Sequence, residues 1–309
     1  MVNLIRSALN SIKLGYRIAR LKLSHVNSAP TIEYNKIADS YDEHYLKYVG
    51  KSALEMFEKL QIISGQHILD LACGTGFFTH LLAEKVGNQG KVFAVDFSSS
   101  MLELNKKKAQ EQNFSNIIFI QSDALSFLES LPDHSTDGVV CAWAIGFMDH
   151  RKLSQELERV VKPGGFIGLI ENKASSMKDC ADLLIKVMMD YPEAIVKNID
   201  VNLPKDKKYL VKNFCQRNFL VQHAWDGSVI VPCKNGNEVV NHLMKSGGLS
   251  VLVDSLKKTI IPQFFDKFIE YANEQFAKGK DGLVKYEFCA VVGKKVYDTN
   301  VISKKVRKD

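Results

Sequence analysis

The stretch His67-Ile-Leu-Asp-Leu-Ala-Cys-Gly-Thr-Gly-Phe-Phe-Thr79 decides the reading of this 309-residue chain. His67–Leu71 is a short apolar run of the kind that becomes a buried strand, and it carries one acid, Asp70. Gly74-Thr75-Gly76 then turns the chain, and Phe77–Val86 continues with helical spacing. Glycines are needed in such a turn where the backbone takes positive φ or where another molecule must approach it closely. The unpaired N–H groups that open the following helix suit a carboxylate or a phosphate.

Outward from that turn the same alternation repeats. Strands are predicted at Val92–Val95, Ile117–Ile120, Gly138–Ala142 and Phe166–Ile170, with helices at Ser99–Gln112, Ala124–Leu131 and Arg151–Val161. Strands alternating with helices build right-handed βαβ units, so the class is α/β with a doubly wound, mostly parallel sheet. Beyond Glu171 the character changes. Residues 174–217 carry helical periodicity broken at Pro192 and Pro204. A strand at Phe219–Val231, helices at Glu238–Met244 and Ile261–Ala277, and a largely apolar last strand, Tyr286–Val292, follow. The expected organisation is an N-terminal helix and linker (1–30), a ligand-binding core (31–173), an inserted and mostly helical cap (174–285), and the last core strand with a basic tail (286–309).

The second strand ends in Asp96, 22 residues after Gly74. An acid at that distance, about 20 residues, can accept hydrogen bonds from both ribose hydroxyls of a nucleotide. A dinucleotide would fit a glycine turn and a ribose acid, but two features oppose it. The dinucleotide fingerprint has Gly or Ala at its sixth position, and here that residue is Thr79. Asp70 beside the turn would also repel a pyrophosphate while attracting an ammonium group. A ligand with an amine, a carboxylate, a ribose diol and no phosphate satisfies these residues, and S-adenosylmethionine is such a molecule.

The motifs carry a family resemblance. DLACGTG (Asp70–Gly76) resembles the first motif of class I S-adenosylmethionine-dependent methyltransferases, and AVDFSSSML (Ala94–Leu102) their second. Ser122-Asp123-Ala124 is similar to the motif whose acid bonds the adenine amino group, and RVVKPGG (Arg159–Gly165) to the one before the fifth strand. The resemblance covers about residues 65–171 and implies a Rossmann-like methyltransferase fold with a seven-stranded sheet. It implies that Asp70, Ala72, Cys73, Gly74 and Gly76 hold the methionine end and that Asp96 holds the ribose. It further implies that Phe97 and Met101 pack on the adenine, that Asp123 and Ala124 read its edge, and that Ala142 and Trp143 line the sulfonium. Asp96 and Asp123 each also read as helix caps, and Trp143 as core. YNKIADSYD (Tyr34–Asp42) resembles the segment ahead of the core in ubiquinone/menaquinone-biosynthesis methyltransferases, which implies that Tyr34 and Tyr41 cover the cofactor.

The acceptor side is less defined. Many relatives place a histidine pair just after strand four, where this chain has Gly146 and Phe147. His150 at the next helix entrance and Glu171 at the carboxyl end of strand five are the candidate catalytic residues, since an acceptor hydroxyl or acidic carbon must lose a proton. Both also read as caps. The long insertion, with Met188, Met189, Tyr191, Phe214, Phe219 and Trp225, suits either a nonpolar acceptor or ordinary core packing. Methylation of a small, hydrophobic molecule at oxygen or carbon is the expected reaction. RNA or protein methylation is a second reading, although Cys141-Ala142-Trp143-Ala144 lacks the Asn/Asp-Pro-Pro-aromatic signature of amino-group methylation on bases. A third is a non-catalytic cofactor-binding protein that anchors a partner or membrane.

Composition sets the outer limits. Hydrophobic residues are 46% and charged residues 25%, ordinary for a globular protein with a large core. The net charge of +6 is modest, and no nucleic-acid partner is expected. Six cysteines occur with no CxxC pair, so neither zinc nor a disulfide framework is expected and a reducing compartment, the cytoplasm, fits. The basic residues gather at the ends: Arg6, Lys13, Arg17, Arg20 and Lys22 before the first acid, Glu33, and Lys304, Lys305, Arg307 and Lys308 in the tail. Residues 1–25 read as an amphipathic helix with an apolar stripe of Leu4, Ala8, Ile12, Tyr16, Ala19 and Leu23. That helix suits three roles: packing on the domain, lying in a membrane interface, or serving as a mitochondrial transit peptide.

Overall fold

Short apolar runs that bury both faces need neighbours on both edges and helices above and below, and the chain supplies them in alternation. The computed structural model describes residues 2–24, 26–29, 31–215 and 218–296. The expected basic tail and Pro30 lie outside the described residues, as do the side chains of Leu4, Arg6 and Ala8.

In chain order the elements are α1 (Val2–Ser24), α2 (Thr31–Tyr41), α3 (Lys47–Glu58), β1 (His67–Leu71), α4 (Phe77–Val86), β2 (Lys91–Asp96), α5 (Ser99–Glu111) and β3 (Ile117–Gln121). There follow α6 (Ala124–Ser130), β4 (Thr136–Ala142), α7 (His150–Val160), β5 (Val161–Asn172), α8 (Lys178–Asp190) and α9 (Lys207–Leu210). The last are β6 (Phe219–Val231), α10 (Gly236–Lys245), α11 (Ser250–Ser255), α12 (Ile261–Ala277) and β7 (Val284–Lys295). Among the described residues the strands form one seven-stranded sheet in the order β3-β2-β1-β4-β5-β7-β6. The first five pair in parallel and β7 runs antiparallel to β5, from Phe166↔Lys294 to Asn172↔Phe288.

The chain divides into two compact units. The sheet unit contains 51–174, 202–227 and 288 onward; the other contains 1–50, 175–201 and 228–287. These bounds differ from those drawn on the sequence. Residues 31–50 fall outside the sheet unit, while 202–227 return to it, because Leu210, Phe214, Cys215 and Phe219 join the same core as Leu69, Val139 and Leu169. In the other unit α12 packs against α8 and α10, with Phe264 and Phe268 buried, and α1 packs against α8.

Two local differences from the sequence reading have plain causes. Strand five starts at Val161 rather than Phe166: Val161 pairs with Thr136 and Phe166 with Gly138, so the Lys162–Gly165 segment is a bulge within the strand and does not precede it. In α1 the face turned inward is Asn10, Leu14, Arg17 and Leu21, not the expected apolar stripe, which is exposed at Ile12, Tyr16, Ala19 and Leu23. Arg17 supports the inward face by donating from Nε to the carbonyl of Ile195.

Candidate functional site

The strand order reverses between β1 and β4: the chain winds to β2 and β3 on one side and to β5 on the other. In such a sheet the loops after the two strands diverge and leave a crevice at their carboxyl ends. Both loops are strained here. Ala72 after β1 has φ 53° and Trp143 after β4 has φ 59°, a region that non-glycine residues seldom occupy. Gly74 (φ 52°) and Gly76 (φ 98°) complete the β1 loop. Strain of this kind gathers where a backbone is shaped for a ligand.

Asp70 is buried near the end of β1. Its carboxylate accepts from the Thr79 hydroxyl at 2.6 Å and from the Thr79 N–H, so the first turn of α4 is tied to β1. Asn105 of α5 extends the link, donating to Thr79 Oγ1 at 3.0 Å and to Cys73 Sγ at 3.4 Å. Its amide lies against Gly76, where a Cβ would stand 2.3 Å from Asn105 Oδ1, so no larger residue fits. Neither Thr79 nor Asn105 was marked as a site residue on the sequence. A signal existed for Asn105: it falls on the buried stripe Met101, Leu102, Asn105 and Ala109, where a polar residue needs a reason.

Asp96 closes the loop from the other strand. Oδ2 accepts from Gly74 N–H and Oδ1 from Ser98 N–H, each at 2.8 Å. Cys73 N–H donates to Val95 O at 3.0 Å, so the β1 loop is stitched along the end of β2. Ser98, rather than Asp96, caps α5, accepting from Met101 N–H at 3.2 Å. Burial raises both acids, Asp70 to about 7, and Asp70 is raised further by the charge of Asp96. Burial likewise pushes the Cys73 and Cys141 thiols well above their usual range, which makes them inert core groups.

These groups fit S-adenosylmethionine better than a phosphate ligand. Burial, hydrogen bonds and, for Asp70, the charge of Asp96 act on these acids, so the two carboxyls bring negative charge to the crevice, while Lys108 Nζ donates to the Thr75 carbonyl of the turn at 3.3 Å. An ammonium or sulfonium would relieve that charge and a pyrophosphate would worsen it. Asp96 accepts from three backbone N–H groups, those of Gly74, Ser98 and Phe97, and its remaining acceptor capacity suits a ribose hydroxyl.

The remaining expected residues are placed as follows. Phe97, next to Asp96, is exposed, and Met101 is buried in α5. Asp123 is exposed and caps α6, accepting from Ser126 N–H at 2.9 Å and Ser126 Oγ at 3.1 Å, with Ala124 buried behind it. Ala142 ends β4, and Trp143 meets Phe288 edge to face with ring centres 5.9 Å apart. Tyr34 and Tyr41 belong to the other unit, where they form an aromatic chain with Tyr45 (6.5 and 5.2 Å between centres).

Glu171 and His150 converge on one short turn, Ile145–Phe147, directly after β4. Glu171 is buried and accepts from Gly146 N–H at 3.0 Å and Asn172 N–H at 2.7 Å; burial raises it to about 7. His150 Nε2 lies 3.0 Å from Ile145 O, and since a carbonyl only accepts, the proton sits on Nε2. Nδ1 then accepts from the Tyr209 hydroxyl at 2.8 Å, and burial lowers the imidazole, keeping it neutral. Asn202 N–H donates to Gly146 O at 2.8 Å, so the turn is held from three sides.

A family profile described as "Methyltransferase domain" matches residues 62–248. The demethylmenaquinone methyltransferase of Listeria welshimeri is 30% identical over 143 residues, 45% of this chain and 60% of that protein. The enzyme of that name from Lactococcus lactis is 32% identical over 166 residues, 51% and 65% respectively. The chain thus spans 60% to 65% of the length of these relatives. A solved Bacillus halodurans protein described as a candidate methyltransferase is 17% identical, with 79% of this chain and 98% of its own covered and a TM-score of 0.52, a likeness of fold.

Proposed function

Since the chain belongs to the methyltransferase-domain family, we propose that it binds S-adenosylmethionine at the β1/β4 crevice and transfers its methyl group to a small, nonpolar molecule at oxygen or carbon. The observation that carries this reading is the pair of acids, buried Asp70 and half-buried Asp96, bracketing the Gly74–Gly76 turn. When bound, S-adenosylmethionine supplies a methyl group activated by a sulfonium. The chain's own contribution is position and exclusion of water. Asp70 and the β1 loop would hold the ammonium and carboxylate, Asp96 the ribose, and Phe97, Met101, Asp123 and Ala124 the adenine. Ala142 and Trp143 would line the methyl.

Glu171 and His150 act here as positioning residues, since their polar atoms serve the Ile145–Phe147 turn that follows the methyl-lining segment. The relatives' name, demethylmenaquinone methyltransferase, makes a nonpolar aromatic compound the first acceptor class to try. Six free thiols fit a reducing compartment, and the cytoplasm is the assigned location.

The test is thermal unfolding with S-adenosylhomocysteine, followed by incubation with labelled S-adenosylmethionine and fractionated extract. At a hundredfold excess over Kd, binding should stabilise the chain by about 2.7 kcal/mol, and label should appear in the lipid or small-molecule fraction. An unchanged Tm would sink the cofactor assignment. Label in RNA or protein, or in no fraction despite tight binding, would transfer the reading to the macromolecular or non-catalytic alternative.

A further inference from the structure

Helix α1 is fixed to the protein by its less apolar face. At about 100° per residue, Asn10, Leu14, Arg17 and Leu21 share one arc and are the residues of α1 turned inward, toward α8. The segment after the helix is pinned as well: Asn198 N–H donates to Val26 O at 2.8 Å, Ser28 N–H to Asn198 O at 2.9 Å, and Ala29 N–H to Asp254 Oδ2 at 2.7 Å. The opposite arc, about 80° wide, carries Leu9, Ile12, Tyr16, Ala19 and Leu23. Four of these are large and face solvent: Leu9 is 52% exposed, Ile12 69%, Tyr16 72% and Leu23 80%. A soluble helix normally buries its apolar stripe, and this one buries the other side. Single exposed apolar residues need no explanation, but a continuous stripe over four turns does.

The charges around the stripe say what covers it. Exposed Lys13 and Arg20 border one edge and exposed Lys22 lies beyond the other, and no acid precedes Glu33. Beside the stripe is a groove of about 490 Å³ lined by Lys13, Tyr16, Arg17, Arg20, Pro192 and Glu193 among others, three cations against one anion. Tyr16 belongs to both stripe and groove, as an aromatic residue at an apolar–polar boundary does. A nucleic acid has no use for the apolar stripe. A surface that is apolar below and uniformly anionic above matches both features. Among the described residues no helix is long and apolar enough to cross a membrane, so the contact is one of lying in the interface. We propose that α1 seats this protein on an anionic membrane, with Leu9, Ile12, Tyr16 and Leu23 at the acyl boundary and Lys13, Arg20 and Lys22 on headgroup phosphates.

The experiment is flotation of the full chain with phosphatidylcholine vesicles, with and without about one third phosphatidylglycerol. The chain should float with the anionic vesicles and not with the neutral ones, and added salt should release it. Lys13→Gln with Arg20→Gln should weaken binding on the order of thirtyfold, from the attraction of two basic residues to an anionic surface. Ile12→Ser with Tyr16→Ser and Leu23→Ser should abolish flotation without lowering Tm, because these side chains touch solvent. Flotation of that triple variant equal to the parent, or salt-independent flotation with neutral vesicles, would overturn the proposal. A lowered Tm in the triple variant would show the stripe to be packed, and a parent dimer lost in that variant would assign the stripe to a second copy. Cofactor binding by the triple variant, measured alongside, keeps the failure of either proposal separate.

Discussion

Asp70 is an acid that its surroundings penalise. Its folded pKa of about 7 lies above the ordinary 3.8, so its contribution to stability is fully present below about pH 4 and is lost as pH rises through 7. At pH 8 the ligand-free chain carries a buried, ionised carboxylate whose internal partner is Thr79. Asp70→Asn keeps the shape and an acceptor oxygen for the Thr79 hydroxyl. It should raise the Tm of the ligand-free chain at pH 8, by less at pH 5, while weakening S-adenosylhomocysteine at least tenfold by calorimetry, roughly the loss of one charge-assisted hydrogen bond. Unchanged affinity would remove Asp70 from the cofactor site. The trade is a familiar one, in which a group held in an unfavourable state is relieved by its ligand.

Among the elements, α6 poses the clearest question. Asp123 was legible in the sequence both as a helix cap and as a reader of adenine, and the structure shows the cap, with Ser126 N–H donating to it at 2.9 Å. The two roles separate by substitution. Asp123→Ala should lower stability by about 1 kcal/mol through the lost cap, and Asp123→Ser should restore it, since a hydroxyl caps as well. If Asp123→Ser recovers Tm but not cofactor affinity, the carboxylate reads the ligand; recovery of both leaves it a cap alone. The β4 loop illustrates the opposite limit of legibility. Glu171 and His150 are visible in the sequence as polar residues near strand ends, but nothing in their spacing says that both bond the backbone of Ile145 and Gly146. Those bonds depend on β4 and β5 lying side by side with Val140 opposite Gly168.

At the scale of the molecule, opposing groups shape the response to pH. Asp70 and Glu171, both at about 7, stabilise the ligand-free fold below about pH 4 and lose that contribution as pH rises through 7, and the raised Asp96 acts in the same direction. His242, lowered to about 4, and His150, lowered less, work the other way: a buried neutral imidazole penalises the fold as pH falls below 6.5. The acids outweigh the histidines, so thermal melts of the ligand-free chain from pH 5 to 8 should show a Tm that falls as pH rises. Saturating S-adenosylmethionine should flatten that fall, because a cation favours the ionised acids. A ligand-free maximum at pH 8 would contradict the buried-acid description of the crevice.

The bounds of β1, α4, β6 and α12 are the same in sequence and structure, because apolar runs, glycine turns and helical spacing are local signals. The strand–helix alternation and the acid–glycine–acid constellation at Asp70, Gly74–Gly76 and Asp96 were local in the same sense, and they were enough to settle the fold class and point to the cofactor. What required the tertiary structure was whatever depends on a neighbour distant in the chain. Pairing with β4 drew the Lys162–Gly165 segment into strand five as a bulge, and the core of the sheet unit drew residues 202–227 back from the cap. The packing of α1 on α8 decided which of its two faces meets solvent. Helical periodicity fixes that a face exists, whereas only the partner surface determines which face is used.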